Sequence, residues 1–191
     1  MMPSNSPQDD KETLIFVDIE SSGPIPSQYS LLSIGACSLW EPRQSFYIEL
    51  QPDSEIFSEQ SMKVNHLSLE KLADDGIHPS EAMQRFGDWV GRTVPEGNQA
   101  VFAAFNAPFD WMFINDYFHR YIGHNPFGHK ALDIKAYYMG MHNTSWTETS
   151  YKIVCEHYQI KRGLTHHALD DAIDAAKLFQ NILADTENTQ V

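Results

Sequence analysis

The stretch Thr13-Leu14-Ile15-Phe16-Val17-Asp18-Ile19 has the length and the β-branched and aromatic residues of a β-strand. It is stopped by a run of turn-forming residues, Ser21-Ser22-Gly23-Pro24. Two further apolar stretches, at about 30–40 and 44–50, predict two more strands, and Glu41-Pro42 between them predicts a hairpin turn. These three strands are therefore expected to form an antiparallel meander.

Beyond this meander the pattern becomes helical and then alternates between strands and helices. From about 56 to 93 the apolar residues recur at helical spacing, with Ser68 as a predicted cap and Pro79 opening a further helix. The remaining predicted elements are a buried parallel strand at 100–105, a helix at 108–122, a weaker strand at 131–134, and helices at 148–158 and 166–184. This order predicts an α/β fold, a mixed five-stranded sheet with helices on both faces.

Length and composition indicate one globular domain. The chain has 191 residues, of which 42% are hydrophobic and 20% are charged, a composition that supports a buried core. We expect a single domain at 13–184, with disordered tails at 1–12 and 185–191. No apolar run approaches the roughly 20 residues of a membrane span, and the N-terminus lacks the basic start and apolar stretch of a signal peptide. The two cysteines have no metal-ligand spacing and do not suggest a disulfide framework, so we predict a reducing, cytoplasmic location.

The net charge of −13 argues against broad, nonspecific affinity for nucleic acid, which normally requires a basic surface. The acidic excess is uneven along the chain. Residues 1–129 carry 18 acidic and 7 basic side chains, whereas residues 130–191 carry 8 and 6. Any contact with an anion is therefore expected to use the second part of the chain or a bound metal ion.

The first acidic cluster lies at the end of the first predicted strand. Asp18 and Glu20 are two residues apart, so both point to the same face, roughly 7 Å apart at Cα. Open α/β sheets bind ligands at this end of their strands. The alternative is that strand ends meet water and carry charge by default.

The second cluster follows the buried strand directly, as Asn106-Ala107-Pro108-Phe109-Asp110. Pro108 suits the first turn of a helix, and Asp110 there would interact favourably with the helix dipole. Such a capping role is the alternative to a functional one. Two acidic sites, each at the end of a core strand, make capping alone a weaker interpretation.

The third cluster is His166-His167-Ala168-Leu169-Asp170-Asp171-Ala172. Helical phase puts Asp170 on a polar face, where we expect solvation, and Asp171 at the edge of the apolar face. A carboxylate held against the core is costly unless it is paired or bound to a metal. In a regular helix His167 would share the face of Asp171, whereas His166 would lie just before the helix.

Four carboxylates and a histidine from separated segments suit hard, oxygen-ligated cations such as Mg²⁺ or Mn²⁺. Two such ions close together can clamp the attacking and leaving oxygens of a phosphodiester. A histidine nearby could take the proton of the attacking water, because imidazole titrates close to neutral pH.

These clusters resemble the three motifs of the DEDDh 3′–5′ exonucleases. That family includes polymerase proofreading subunits, ribonuclease T and oligoribonuclease, and it has a ribonuclease H-like fold. The resemblance rests on three segments and on two similar stretches between them, and it covers nearly all of 13–184. The segments are 16–23, 106–110 and 166–172, and the stretches are 31–36 and 64–68.

The resemblance implies a role for individual residues. The implied metal ligands, which are also catalytic residues, are Asp18, Glu20, Asp110 and Asp171. The general base of the family lies five residues before the last of these aspartates, which selects His166 rather than His167. Many relatives carry a histidine before the asparagine of the second motif, where this chain has Phe105.

Substrate contacts are predicted from the same segments. Within the motifs, Ser22, Asn106 and Phe109 are expected to contact the substrate. Lys161 and Arg162 lie near the third motif in the less acidic part of the chain and are candidates for phosphate contacts. The alternative for these two cations is an ordinary solvated face.

Two further features carry weaker expectations. The segment 139–150 is predicted to be a mobile loop over the site, in which Trp146 could stack on a base or simply pack. His119, His124 and His129 are interpreted as surface residues rather than metal ligands.

The sequence therefore predicts a metal-dependent 3′–5′ exonuclease that uses two Mg²⁺ or Mn²⁺ ions to release nucleoside 5′-monophosphates from single-stranded 3′ ends. Two alternatives are a non-catalytic interaction module with the same fold and a metal phosphohydrolase acting on small nucleotides. The choice between DNA and RNA stays open, because it depends on a contact to the 2′-OH. A homodimer and a complex with a polymerase are both compatible with the resemblance.

Overall fold

The computed structural model describes residues 11–160 and 163–189. Lys161 and Arg162, the predicted phosphate contacts, lie outside the described residues, as does most of the predicted N-terminal tail. Glu12 already belongs to the first strand, and the last helix continues to Thr189 instead of ending at 184.

The predicted five-stranded mixed sheet is confirmed. Its strands are β1 (Glu12–Ser21), β2 (Leu31–Ser38), β3 (Ser45–Glu49), β4 (Gln99–Ala104) and β5 (Ala131–Asp133). They are arranged in the order β3-β2-β1-β4-β5. The β1-β2-β3 meander is antiparallel, as predicted, and β4 and β5 run parallel to β1. The carboxyl ends of β1 and β4 therefore lie side by side at one edge of the sheet.

Seven α-helices and one short 3₁₀ helix surround this sheet within the described ranges. The helices are α1 (Glu59–Asn65), α2 (Leu69–Asp75), α3 (Pro79–Thr93), α4 (Pro108–Tyr121), α5 (Ile134–His142), α6 (Tyr151–His157) and α7 (Ala168–Thr189), and the 3₁₀ helix is Trp146–Thr149. Ser68 caps α2 by accepting a hydrogen bond from the Lys71 N–H, as predicted. No helix in the described ranges is both long and apolar enough to cross a lipid bilayer.

The predicted strand at 131–134 and loop at 139–150 are partly wrong. The strand ends at Asp133, whose carboxylate accepts a hydrogen bond from the Lys135 N–H and so starts α5. The first part of the predicted loop therefore belongs to α5, and Trp146–Thr149 forms the 3₁₀ helix.

Alternate residues of β1 face two separate cores. Ile15, Val17 and Ile19 pack with α3 and α4. Phe16 packs on the opposite face against α5, α6 and α7. Because side chains alternate along a strand, Asp18 belongs to the face that α7 covers.

Helix α7 approaches the sheet closely at Gly35 of β2. A Cβ atom at this position would lie 2.1 Å from both the carbonyl carbon of Ala168 and the amide nitrogen of Leu169. Any side chain here would therefore collide with backbone. Gly35 is paired with Asp18 in the neighbouring strand, so this approach brings the start of α7 to the end of β1.

Candidate active site

A cleft of about 320 Å³ opens at the carboxyl end of β1. Its walls come from the ends of β1 and β4, from α1, from the start of α4 and from the segment that precedes α7. The cleft brings together all five residues predicted to be catalytic: Asp18, Glu20, Asp110, His166 and Asp171. They come from three segments that are far apart in the sequence, so this convergence is a product of the fold.

Asp18 and Glu20 lie among the last residues of β1 and line the cleft. Both are partly buried, and their neighbours across the antiparallel ladder are Gly35 and Ser33 of β2. The register shifts immediately after Glu20, between Glu20 and Ser21. The strand thus ends its regular pairing at the point where it presents two carboxylates.

Asp110 lies in the first turn of α4 and is only 5% exposed. Its Oδ1 accepts a hydrogen bond of 3.1 Å from the Ile19 N–H of β1. This bond ties the start of α4 to the end of β1. It also shows that the carboxylate does more than satisfy the amino end of its own helix, so capping alone does not account for Asp110.

Asp171 is 3% exposed and accepts three hydrogen bonds from the segment before α7. Its Oδ1 accepts from the Thr165 N–H at 2.8 Å and from the Thr165 hydroxyl at 2.9 Å. Its Oδ2 accepts from the His166 N–H at 2.9 Å. The carboxylate thereby fixes the backbone that carries the histidine.

The two neighbouring histidines have different environments. His166 adopts a left-handed conformation with φ of 56° and lines the cleft, where ligand atoms of Glu20, His166 and Asp171 lie within 4.8 Å of one another. His167 is exposed and stacks on the ring of Tyr47, with 4.5 Å between ring centroids. His167 lies before the regular helix, which begins only at Ala168, so the face that it would share with Asp171 in a regular helix does not apply.

Clustering and burial disfavour ionised carboxylates in this cleft. Burial, followed by repulsion from Asp110, Glu20 and Asp171, raises the pKa of Asp18 well above its usual range. Burial and the nearby aspartates raise the pKa of Glu20 to about 8. Burial also raises the pKa of Asp110, although backbone N–H groups act in the opposite direction. Bound cations would remove this penalty.

The chemistry of the donor set fits hard divalent cations. Oxygen donors from four carboxylates are what Mg²⁺ and Mn²⁺ prefer, and a single histidine beside them leaves the set oxygen-rich. Among the described residues, the cleft is lined by no lysine or arginine that could neutralise these carboxylates instead.

The predicted substrate residues are divided between the cleft and the interior. Asn106 and Phe109 are exposed and line the cleft. Ser22 does not line the cleft, so its predicted contact with the substrate is wrong. Its hydroxyl is fully buried, donates to the Ile56 carbonyl and accepts from the Ser30 N–H. Ser22 therefore holds the chain that leads to α1 and is not available to a substrate.

Helix α1 forms a wall of the cleft that sequence reasoning missed. Gln60, Ser61 and Val64 line it, and the Asn65 amide donates to the Ser21 carbonyl at 3.1 Å, which docks α1 against the end of β1. Leu164 also lines the cleft. The sequence offered two signals here, the family-like stretch 64–68 and the apolar Val64, and the second is weak because isolated apolar surface residues are common.

Trp146 does not line the cleft, in contrast to the prediction of a loop over the site. Its ring is covered by the Lys135 ammonium, 4.0 Å from the ring centroid. His119, His124 and His129 are exposed, and none belongs to a group of potential metal ligands in the described part of the chain.

Known proteins with similar sequences identify the family. The model of the family described as the 3′–5′ exoribonuclease Rv2179c-like domain matches residues 13–183. The 3′–5′ DNA exonuclease Cap18 of Escherichia coli is 48% identical over 173 residues, which cover 91% of this chain and 92% of Cap18.

Solved structures confirm the ribonuclease H-like fold of DEDDh exonucleases. The nuclease domain of 3′hExo, a DEDDh family member bound to rAMP, has a TM-score of 0.78 at 15% identity and covers 93% of this chain and 94% of its own. Exonuclease I of E. coli in complex with a dT13 oligonucleotide has a TM-score of 0.71 at 13% identity, over 91% of this chain and 41% of its own. The sequence matches, together with this fold, show that the chain belongs to the family of 3′–5′ exoribonuclease Rv2179c-like domains and is a 3′–5′ exonuclease.

Proposed function

We propose that this exonuclease is metal-dependent and releases nucleoside 5′-monophosphates from the 3′ ends of single-stranded nucleic acid. The observation that carries the proposal is the convergence of four carboxylates and His166 in one cleft. The domain that performs this reaction is proposed to span 13–184, in agreement with the extent of the family match.

In this proposal Asp18, Glu20, Asp110 and Asp171 hold two Mg²⁺ or Mn²⁺ ions. When bound, the ions activate water and neutralise charge on the reacting phosphate. The positions of the carboxylates are fixed, because Asp110 accepts from the Ile19 N–H and Asp171 accepts from the N–H groups of Thr165 and His166. Such preorganised positions cost no rearrangement during the reaction.

His166 is proposed as the general base that takes the proton of the attacking water. Its side chain is partly exposed and lies in the cleft beside Glu20 and Asp171. A partly exposed imidazole can receive a proton inside the cleft and release it to solvent. His167 is turned away towards Tyr47 and has no such access to the cleft.

The substrate is proposed to be a short or single-stranded 3′ end, bound mainly through the metal ions. Phe109 and Asn106 offer an exposed ring and an amide at the cleft, which suit a terminal nucleotide. We propose DNA as the preferred form, supported by the activity named for the relative with 48% identity. Matched single-stranded DNA and RNA oligonucleotides, assayed at equal concentration, test this preference.

Paired neighbouring residues give a sharp test of the assignment. On a 3′-labelled oligonucleotide with Mg²⁺, His166→Ala should lower kcat about 10²–10⁴-fold, the usual contribution of a general base. His167→Ala, one residue away, should stay within about threefold of wild type. Asp171→Asn should abolish cleavage, whereas Asp170→Asn at the half-exposed neighbour should not.

Unchanged degradation by His166→Ala or Asp18→Ala would overturn the assignment, as would full activity of the wild type in EDTA. Turnover of mononucleotides in preference to the oligonucleotide would favour the small-nucleotide phosphohydrolase instead. Isothermal titration with Mn²⁺ should show binding to wild type. No heat of binding together with no cleavage would favour a non-catalytic module.

The proposal extends to location and assembly. A cytoplasmic location is supported by Cys37 and Cys155, which are both buried and free. The resemblance to ribonuclease T and oligoribonuclease supports a homodimer, and the resemblance to polymerase proofreading subunits supports a complex with a polymerase as the alternative. Sedimentation of the purified chain tests the dimer, and a monomer at micromolar concentration would contradict it.

A further inference from the structure

A second group of metal-ligating side chains lies outside the cleft, where three helices end. His142 is the last residue of α5, His157 is the last residue of α6, and Asp185 lies near the end of α7. One ligand atom from each of these residues lies within 4.8 Å of the other two. None of the three lines the catalytic cleft.

The geometry of this group is close to that of a metal centre. The His142 Nε2 atom is 3.8 Å from the Asp185 Oδ2 atom, and the two imidazole centroids are 4.8 Å apart. Tetrahedral Zn²⁺ with bonds of about 2.0–2.2 Å places its ligand atoms about 3.3–3.6 Å from one another. Side-chain movements of about 1 Å therefore suffice to close the group around an ion.

The surroundings hold the imidazoles in place. The Tyr138 ring packs against His142 with 4.3 Å between centroids and meets the edge of His157 at 5.8 Å. The Tyr158 hydroxyl lies 3.0 Å from His142 Nε2 and donates to Asp185 Oδ2 at 3.4 Å. The hydroxyl thus bridges the two atoms that would share a cation.

The position in the fold also favours a cation. Helix carboxyl ends carry a partial negative charge, and His142 and His157 are the last residues of α5 and α6. Two imidazoles and one carboxylate form a mixed nitrogen and oxygen set, which suits Zn²⁺ better than the oxygen-seeking Mg²⁺. The donor chemistry therefore differs from that of the catalytic cleft.

We propose that His142, His157 and Asp185 form a binding site for Zn²⁺, separate from the catalytic ions. Water completes the coordination, since His157 is exposed. An ion here joins the ends of α5, α6 and α7. The segment with Thr165 and His166 lies between α6 and α7 in the chain. Its role is to stabilise this side of the sheet and not to take part in the cleavage.

The test uses the full chain with the Asp18→Asn and Glu20→Gln substitutions, which weaken the catalytic cleft as a competing site. Isothermal titration with Zn²⁺ in excess Mg²⁺ should show one strongly bound equivalent, and Co²⁺ should give the visible absorption of a low-coordinate site. Adding His157→Ala should weaken that binding at least tenfold. Adding His129→Ala, another exposed histidine, should leave it unchanged.

A further variant separates the cation site from a simple hydrogen-bond network. Tyr158→Phe keeps the ring and removes the bridging hydroxyl, so Zn²⁺ should bind equally well or more tightly. The proposal is overturned if the background protein binds no Zn²⁺, if His157→Ala leaves stoichiometry and affinity unchanged, or if Tyr158→Phe abolishes binding. Circular dichroism verifies that each variant is folded.

Discussion

Replacing Gly35 with alanine should push the start of α7 away from the sheet. The added Cβ would lie 2.1 Å from two backbone atoms, the carbonyl carbon of Ala168 and the amide nitrogen of Leu169. Ordinary contact begins at about 3.4 Å, so the helix must retreat by about 1.3 Å or the strand must bend. A change of rotamer cannot relieve a collision with backbone.

The retreat has two consequences of different size. Overpacking of this kind costs about 1–3 kcal/mol, which for a domain of this length lowers Tm by about 2–12 °C. Asp171 follows Ala168 by three residues, so it moves with the helix away from Asp18 and Glu20 and carries with it the His166 backbone that it holds. Because a displacement of about 1 Å at reacting groups can cost about 100-fold in rate, we expect kcat to fall about 100-fold.

The assay compares Gly35→Ala with a glycine substitution that meets nothing. Gly91 is exposed in α3, and a Cβ there would have no neighbour within 4 Å. Gly91→Ala should therefore raise stability by about 0.5–1 kcal/mol and leave activity unchanged. Cleavage of a 3′-labelled oligonucleotide and Tm are measured for both. Wild-type activity of Gly35→Ala would refute the argument that the close approach of α7 to β2 positions Asp171.

Three other perturbations have expected outcomes. The metal-free protein should lose stability as pH rises from about 4.5 through about 8, because the raised pKa of Glu20 means that folding favours its protonated form; saturating Mn²⁺ should remove this slope in a series of thermal melts. Asp110→Asn should abolish cleavage yet stabilise the metal-free protein at pH 8 by at least about 1 kcal/mol, the equivalent of about one pKa unit. The reason is that burial no longer opposes a charge, while the amide oxygen can still accept from the Ile19 N–H. Lower stability in urea unfolding would contradict this. Tyr117→Phe should cost about 1–3 kcal/mol, because the buried Leu31 N–H loses the hydroxyl to which it donates, and an unchanged urea midpoint would show that this bond contributes nothing.

Local patterns were sufficient to predict most of the sheet. The alternation in β1 placed Asp18 on the face that α7 covers, and the turn at Glu41-Pro42 placed β2 and β3 in an antiparallel meander. The order of elements then placed the ends of β1 and β4 together. These features depend on neighbouring residues or on general rules of chain topology, and a single sequence contains both.

The errors arose where a side-chain hydrogen bond or a packing contact outside the regular pattern decides the local structure. His166 is left-handed because its N–H and Thr165 bind the carboxylate of Asp171, so the helix starts later than its apolar pattern suggests. Ser22 belongs to a matching motif, yet its hydroxyl is taken up by the chain before α1. The wall formed by α1 depends on packing that periodicity does not encode.

The direction of β1 places the first residues of this strand and its cleft-lining carboxyl end at opposite edges of the sheet. The antiparallel pairing of Ile15 with Ser38 puts the start of β1 and the β2–β3 hairpin at the edge of the sheet opposite the cleft. Helix α7 leaves the cleft and runs towards the same edge, where the Gln180 amide donates to the Leu39 carbonyl at 2.8 Å. A fluorophore, an affinity tag or a fused protein joined at this edge would therefore stay clear of an incoming 3′ end. This edge is the suitable place to tether the enzyme without blocking the cleft.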